Sequence, residues 1–309
     1  MNKQRRADLL LVMTTFFWGA SYYLTDICLA DLPPMTLNAF RFIVAFLVLG
    51  LIFWKHVVHI NRTTLWYSLI VGLALAGTYV AYNYGITRTS LSNAAFICAL
   101  QVIFAPLLGF LFFRQRPGWK LGAALVVCTV GMALLTLNGE LRPASGDLIC
   151  LITPLCYAVD LLITEKAVRD PRVDPLGLGA VEDKMALALD LVNVRIILEP
   201  GIAEMAALNA TEEDVEKLIR VQVTLKAALF LGIFCSGVAF VIQSVQQQYT
   251  TASHVGLIFT LEPVFASMVA FVMTGAVLSL RGYIGAALML LSLFIMEGDW
   301  SFLGRKKRV

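Results

Sequence analysis

Two polar residues at matching places in two long apolar stretches are the strongest candidates for chemistry in this sequence. Glu262 is followed directly by Pro263, and Gln101 has Pro106 close by. A polar side chain in a membrane-length apolar stretch is costly and so is a functional candidate by default. A proline there frees a backbone carbonyl one turn earlier. One polar residue from each half, facing a common cavity, suits a substrate or a proton. The competing interpretation is a hydrogen bond that only holds two helices together.

Two further charged residues lie within or near apolar stretches. Asp160 follows Pro154 in one of them, and it could pair with a cationic substrate or carry a proton. The alternative is that it lies near the cytoplasmic side, where Lys166 neutralises it. Arg41 is expected near a membrane surface, where its side chain extends to water or pairs with an acid.

Aromatic and amide side chains complete the candidate substrate-binding set. The aromatic residues are Trp18, Tyr22, Tyr82 and Tyr157, and the amides are Asn83 and Gln243. Aromatic walls beside a carboxylate suit an amino-acid side chain or an organic cation. In membrane helices, aromatic residues more often serve packing or mark the membrane interface, so both roles stay open.

Other kinds of chemistry are not indicated. The six cysteines are scattered, with no CxxC pair and no cysteine and histidine spacing typical of a metal site. The sequence also contains no P-loop, GxSxG, HExxH or GxGxxG motif. We therefore expect no cofactor, no metal, no ATP-driven pumping and no enzymatic activity. The formal net charge of +3 gives no reason to expect nucleic-acid binding.

The elements that position these residues are apolar helices. Hydrophobic residues form 59% of the chain and the mean hydropathy is +0.79, far above the values of a soluble domain. Runs of about 20 apolar residues are long enough to cross a membrane as a helix. We place nine such spans, at about 8–26, 36–54, 64–86, 92–113, 118–137, 147–166, 224–247, 253–275 and 281–297. The pattern predicts an all-α, polytopic membrane bundle.

Loop charges predict the orientation of the bundle. Lys3, Arg5 and Arg6 precede the first span, and the chain ends in a basic run at 305–308. Positive loops stay on the cytoplasmic side, so both termini are predicted to be cytoplasmic and the protein to lie in the inner or plasma membrane. Two cytoplasmic termini need an even number of crossings. A tenth crossing is therefore expected between residues 170 and 224.

The two halves of the chain repeat each other. QVIF at 101–104 matches EPVF at 262–265. We divide the chain into a first repeat, 1–140, and a second repeat, 141–309. Five spans per repeat is an odd number, so the second copy enters the membrane upside down. Inverted repeats of this kind are typical of transporters whose substrate site lies near the middle of the membrane.

Three motifs carry a resemblance to a known family. They are FWGAS at 17–21, a proline at 34 followed by Arg41 and Phe42, and LEPVFA at 261–266. With them the chain resembles the EamA-type drug/metabolite transporter superfamily over about 1–181 and 222–309. The resemblance implies ten helices in a 5+5 inverted repeat around a central cavity. It also implies export or exchange of a small metabolite, often an amino acid or a related solute.

The segment 182–221 departs from that pattern. Where a seventh apolar span is expected, charges occur at positions such as Asp190, Arg195 and Glu199, and each costs about 2.5–3.5 kcal/mol at a helix centre. The periodicity is that of amphipathic polar helices, the second starting near Thr211. Part of the segment resembles the FCD ligand-sensing domain of GntR-type regulators. A recombined chimera is the favoured interpretation; a natural surface helix pair and a span held by partner helices are the alternatives.

These patterns lead to two hypotheses. The first is a secondary transporter that exports or exchanges a small metabolite by alternating access. Its partners are a small-molecule substrate, the lipid bilayer and, as a candidate, a coupling proton. The second is a non-transporting membrane chimera or scaffold in which the segment 182–221 disables or regulates the bundle. Substrate, coupling ion, direction of transport and oligomeric state stay open.

Overall fold

The structure is a computed structural model that describes residues 3–86, 88–89, 91–114, 118–137, 145–181 and 212–297. Throughout these ranges the regular secondary structure is helical, without a β-strand. In the first half the helices are α1 (Lys3–Leu29), α2 (Pro34–Ile52), α3 (Trp54–Val58), α4 (Arg62–Ile86), α5 (Leu91–Ala99), α6 (Gln101–Phe113) and α7 (Trp119–Thr136). The first five predicted spans lie on these helices, within a few residues of their predicted bounds.

In the second half the helices are α8 (Ser145–Cys150), α9 (Ile152–Val168), α10 (Glu212–Phe230), α11 (Ala239–Gln247), α12 (Ala252–Phe259), α13 (Glu262–Thr274) and α14 (Leu280–Glu297). A π-helical segment, Leu231–Val238, joins α10 to α11 without a break. Residues 175–181 form a further short helix. The remaining four predicted spans lie on these second-half helices.

Within the described ranges, six stretches are long and apolar enough to cross a membrane. They are Arg62–Tyr82, Phe96–Phe113, Trp119–Thr136, Ser145–Val168, Arg220–Gln247 and Ala252–Thr274. Thr36–Ile52 and Leu280–Met296 are shorter apolar helices. Large apolar side chains such as Leu51, Phe112 and Val272 are largely exposed on the outer faces, as expected where lipid takes the place of water. The predicted all-helical, polytopic membrane bundle is confirmed for these residues.

The predicted foreign segment 182–221 lies mostly outside the described residues. Positions 182–211 are among those not described, so the three interpretations of the segment stay predictions. Its remaining residues open α10, which begins at Glu212, where the second amphipathic helix is expected. From there one continuous helical rod runs through the π-helical segment to Gln247.

Two of the apolar spans that consist of two consecutive helices have a tight turn at matching places in the two halves of the chain. α5 is followed by α6, and α12 by α13. At the breaks, the backbone N–H groups of Leu100 and Leu261 each donate to a carbonyl three residues earlier, at 3.1 Å, which is the spacing of a 3₁₀ turn. The second helix of each pair therefore begins at the matching residues Gln101 and Glu262, inside the membrane span.

Glycines let two pairs of helices approach closely. A Cβ atom on Gly19 of α1 would lie 2.6 Å from Cβ of Phe265 and 2.8 Å from the backbone nitrogen of Ala266 on α13. A Cβ atom on Gly131 of α7 would lie 2.7 Å from the carbonyl oxygen of Gly285 on α14. Since no side chain fits at these distances, glycine is required there. The FWGAS and LEPVFA motifs, far apart in sequence, therefore meet at Gly19.

The apolar core forms two main clusters. The larger one joins α1, α2, α4 and α9 to the rod and α12, and it includes Phe42, Phe240 and Phe259. The second holds α7 against α14 and α12 around Met132 and Met289. The larger cluster reaches the wall of a central cavity at Phe240 and Phe259.

Candidate functional site

A cavity of about 430 Å³ lies among α1, α2, α4, α5, α9 and α13. Six of the nine residues predicted to bind substrate line it: Trp18, Tyr22, Tyr82, Gln101, Tyr157 and Glu262. Asn83 lies on α4, but its side chain falls outside the described part of the structure. The lining helices are distant in sequence, so the cavity is a product of the tertiary fold.

Glu262 and Gln101 face the cavity from the starts of two half-helices. Glu262 is the first residue of α13, and its carboxyl group interacts with the Tyr22 hydroxyl on α1. The positive end of the helix dipole also stabilises a carboxylate at that position. Gln101 is the first residue of α6. One carboxyl and one amide group, each from a different half of the chain, therefore share one space.

Trp18 is held in the cavity wall by the π-helical segment. Its indole N–H donates to the Cys235 carbonyl oxygen at 2.7 Å. Its ring packs against Phe259, Phe240 and Tyr157, with ring centroids 4.7, 5.7 and 6.4 Å apart. A carbonyl oxygen has two lone pairs, so Cys235 can accept this bond from its place in the π-helical segment. The aromatic wall is therefore fixed by packing and by a hydrogen bond.

Asp160 and Gln243 do not line the cavity. The Tyr157 hydroxyl donates to Oε1 of Gln243 at 3.2 Å, and Nε2 of Gln243 donates to Oδ2 of Asp160 at 3.3 Å. Both side chains are buried behind Tyr157. Lys166, the expected neutralising partner, instead lies over the ring of Phe113. Asp160 therefore has an amide rather than a cation as its partner.

Arg41 belongs to the cavity, although sequence reasoning placed it near a membrane surface. It is only 8% exposed, and its Nε donates to Oγ of Ser236 at 3.3 Å. α2 packs tightly on the π-helical segment, since a Cβ atom on Gly232 would lie 3.0 Å from the Arg41 carbonyl oxygen. This contact fixes the rotation of α2, so the expectation of a surface-seeking side chain is wrong. The available signal was the position of Arg41 in the second motif.

The bundle is closed at the end opposite the cavity mouth. Every residue of α12 is buried. The backbone N–H of Ala252 donates to Glu165 at 2.7 Å, and Nε2 of His254 lies 3.3 Å from Oδ1 of Asp8. In the other direction the cavity reaches Leu29, at the passage from α1 to α2. Packed side chains therefore separate the cavity from one end of the bundle and leave it extending toward the other.

Comparison with known proteins decides the family. The pattern of the EamA-like transporter family matches residues 5–137 and 144–297. The chain belongs to the EamA-like transporter family. An uncharacterized transporter of Archaeoglobus fulgidus is 23% identical over 295 residues, covering 96% of this chain and 87% of that protein. An uncharacterized transporter of Methanothermobacter thermautotrophicus is 25% identical over 310 residues, covering 93% and 84%. A solved crystal structure matches with a TM-score of 0.75 at 17% identity, covering 95% of this chain and 96% of that one, which shows a shared fold.

Family membership makes this EamA-like protein an integral membrane transporter with a small-molecule substrate and a lipid environment. The resemblance seen in the sequence motifs is thereby confirmed. The matched range 144–297 runs through the segment 182–221. The comparisons do not show the regulator-like part predicted within that segment.

Proposed function

We propose that this protein is a secondary transporter that exports or exchanges a small metabolite, an amino acid or a related solute, by alternating access. The observation that carries the proposal is the cavity, which combines Arg41, Glu262 and an aromatic wall where two membrane spans are broken. In transporters, substrates bind at such mid-membrane breaks, because half-helix ends and freed carbonyls can contact the ligand there.

The lining groups suit a zwitterion with an apolar part. Arg41 offers a guanidinium group to a carboxylate, and Glu262 offers a carboxylate to an ammonium group. Trp18 and Tyr79 present aromatic faces to the rest of the ligand. A volume of about 430 Å³ also falls within the range of about 300–1,000 Å³ usual for small-molecule sites.

Alternating access would come from two five-helix repeats, 1–140 and 141–309, that rock around the cavity in a ten-helix layout. With both termini in the cytoplasm, the end closed by α12 and Asp8 is the cytoplasmic end. The structure then represents the outward-facing arrangement in the inner or plasma membrane. The proposal includes no enzymatic step, metal or cofactor.

Uptake by the purified protein in lipid vesicles tests this function. We expect the wild type to exchange at least one of a panel of radiolabelled amino acids. Glu262→Gln and Gln101→Ala are expected to slow exchange by about tenfold or more, since losing a buried hydrogen bond to the ligand costs about 1–3 kcal/mol. Phe112→Leu, which changes a lipid-facing side chain on α6, is the control and should behave as wild type. Unchanged exchange in both cavity variants would contradict the proposal.

A further inference from the structure

Asp160 is a carboxyl group inside the bundle that does not reach the cavity. It is 2% exposed, and its hydrogen bond comes from the amide of Gln243. Among the described residues, no basic side chain pairs with it. An uncompensated charge inside a membrane is costly. The carboxylate of Asp160 is therefore expected to bind a positively charged species, either a proton or another cation.

The groups around Asp160 favour a proton. Of the helices packed on α9, α6 and α11 carry no titratable residue. α12 contributes His254, which pairs with Asp8, and on α9 itself Glu165 pairs with Arg169. The other titratable residues on helices packed against α9 are Arg62, Tyr67, Tyr79, Tyr82 and Tyr84 on α4, Cys98 on α5, and Asp147 and Cys150 on α8. In the described part of the chain, none of them is hydrogen-bonded or ion-paired with Asp160. Among the described residues, no group of three or more histidine, cysteine, aspartate or glutamate side chains includes Asp160, so the site lacks the clustered carboxylates typical of divalent cations.

Two hydrogen bonds connect Asp160 to the cavity. Tyr157 lines the cavity, and its hydroxyl donates to Oε1 of Gln243. The same Gln243 side chain donates through Nε2 to Asp160. A change at the buried carboxyl group can therefore alter the hydrogen bonding of a side chain that faces the substrate.

Polar atoms also lead from Asp160 toward the closed end of the bundle. One turn further along α9 lies Thr164, and one turn beyond Gln243 on α11 lies Gln247. Oγ1 of Thr164, Oε1 of Gln247 and Oγ1 of Thr250 are buried and make no hydrogen bond to another described residue. Buried polar atoms of this kind are ordinarily satisfied by water. A proton that moves between Asp160 and the closed end would meet these polar groups on α9, on α11 and in the turn after α11.

We infer that Asp160 is the site at which a coupling proton binds, and that Gln243 links its protonation to the substrate cavity through Tyr157. The inference rests on the proposed secondary transport and names the coupling ion and its residue. Gln243 is a positioning residue in this scheme, because it contacts neither the cavity nor the aqueous phase.

Proton binding reverses the direction of the two hydrogen bonds. In the ionised state, Asp160 accepts from Gln243 Nε2, and the Tyr157 hydroxyl donates to Gln243 Oε1. A hydronium ion then transfers its proton to Oδ2 of Asp160 and leaves as water, so the new O–H becomes a donor. The Gln243 amide turns over, its Oε1 accepts from Asp160, and its Nε2 donates to the Tyr157 oxygen. The Tyr157 O–H is thereby released to donate into the cavity, and no electrons are transferred.

The first arm of the test follows the carboxyl group in the purified full-length protein, without substrate. Infrared difference spectra recorded across pH report the C=O stretch of each protonated carboxyl group. We expect a titrating band in the wild type that is lost in Asp160→Asn. Asp170→Asn is the matched control, because hydrogen bonds from Arg172 hold the pKa of the Asp170 carboxyl, which lies outside the membrane spans, at about 2, so it carries no proton near neutral pH. Glu262→Gln identifies the band of the cavity carboxyl group. A spectrum that is unchanged in Asp160→Asn would overturn the inference.

The second arm measures transport in vesicles with the labelled amino acids of the exchange assay. We expect wild-type accumulation to respond to an imposed pH gradient. In Asp160→Asn and Gln243→Met, the change in accumulation caused by the gradient should fall by about 5- to 150-fold, the usual range of coupling between two binding sites. Exchange without a gradient should continue in both variants. Asp170→Asn should match the wild type.

The remaining outcomes distinguish a failure of the Asp160 proton site from a failure of the proposed transport function. A gradient response that survives in Asp160→Asn places the proton site elsewhere and overturns the inference. Loss of exchange together with the gradient response, in a variant with unchanged thermal unfolding, assigns Asp160 to substrate binding and also overturns it. If no labelled amino acid moves in the wild type, the proposed substrate class fails, and the infrared arm still decides whether Asp160 exchanges a proton.

Discussion

At the scale of single residues, the cavity contains one cationic side chain, Arg41, and one carboxyl side chain, Glu262. Ser236 accepts from Nε of Arg41, and no hydrogen bond from the terminal nitrogens of this guanidinium group to another described residue is seen. The Tyr22 hydroxyl, on the neighbouring helix α1, interacts with the Glu262 carboxyl group. Each charged group therefore has a neutral polar side chain as its neighbour, an arrangement that suits a ligand carrying both a positive and a negative charge.

Substitutions of Arg41 separate charge from shape. Arg41→Gln is expected to weaken apparent substrate affinity by more than tenfold, because losing one partner of a buried charge pair costs about 2–5 kcal/mol. Arg41→Lys keeps the charge but not the planar fork, so its affinity should lie between Arg41→Gln and wild type. The concentration dependence of vesicle exchange measures both. Equal affinities in all three proteins would show that Arg41 does not touch the ligand.

The indole N–H of Trp18 has a measurable role in stability. Trp18→Phe leaves the buried Cys235 carbonyl without its donor, which is expected to destabilise the protein by about 1–3 kcal/mol. Thermal unfolding in detergent should show a lower midpoint. Trp66→Phe, at a largely exposed position on α4, is the control and should unfold at the wild-type temperature. A wild-type midpoint for Trp18→Phe would contradict the structural role of this bond.

The sequence reveals the polarity of residues but not the rotation of the helices that carry them. Glu262 and Gln101 could be selected because a polar residue stands out in an apolar span. Asp160 stands out equally, but α11 and Tyr157 turn it away from the cavity. Arg41 is turned inward by the contact of α2 with the π-helical segment. These rotations depend on long-range contacts that no local pattern contains.

At the scale of elements, the bundle depends on one very close contact between α1 and α13. Gly19 brings the two helices together beside Glu262, whose carbonyl oxygen would lie 3.0 Å from a Cβ atom on that glycine. The geometry of the cavity therefore depends on a residue that has no side chain to contribute.

A larger residue at Gly19 should damage both stability and transport. Gly19→Val is expected to destabilise the protein by about 1–3 kcal/mol, because overpacking forces the helices apart. Thermal unfolding and vesicle exchange should both decline. Gly50→Ala on α2 is the matched control, since the nearest atom to its Cβ would be 3.9 Å away. Wild-type behaviour of Gly19→Val would mean that α1 and α13 are not in contact in the membrane.

The extents of the helices were predictable, whereas their internal irregularities were not. Hydropathy locates the spans because membrane length demands a run of apolar residues. The break at Leu100 and the π-helical segment both lie inside such runs, where one apolar residue follows another and the pattern gives no signal. Pro263 gave a partial signal for the break between α12 and α13, because a proline lacks a backbone N–H and its position can be seen in the sequence.

At the scale of the whole molecule, the two ends of the bundle differ. One end has buried polar pairs, His254 with Asp8 and Glu165 with Ala252. The other is approached by the cavity beside Leu29. Such asymmetry is the arrangement expected for one of the two states of a transporter that opens alternately to each side.

A reporter fused after Val309 tests the orientation of the whole molecule. The basic run at the end of the chain predicts that a reporter active only in the cytoplasm will be active. This result implies an even number of crossings and therefore a crossing contributed by the region around 182–211. If a reporter that is active only outside the cytoplasm is active at this position, the helices after that region are inverted. This result would contradict the ten-helix proposal. A fusion at the amino terminus is the control.

The π-helical segment gives its rod one residue more than an α-helix of the same length would hold. Each residue of an α-helix turns the chain by about 100°. If the position of this extra residue shifts along the rod by one turn, the residues between its old and new positions rotate about the helix axis by about 100°. Gln243 lies just beyond the segment, so the direction in which its amide points is set by where the surplus sits. The rod thus contains a torsional adjustment in which the main-chain hydrogen bonds between the two positions of the extra residue exchange partners.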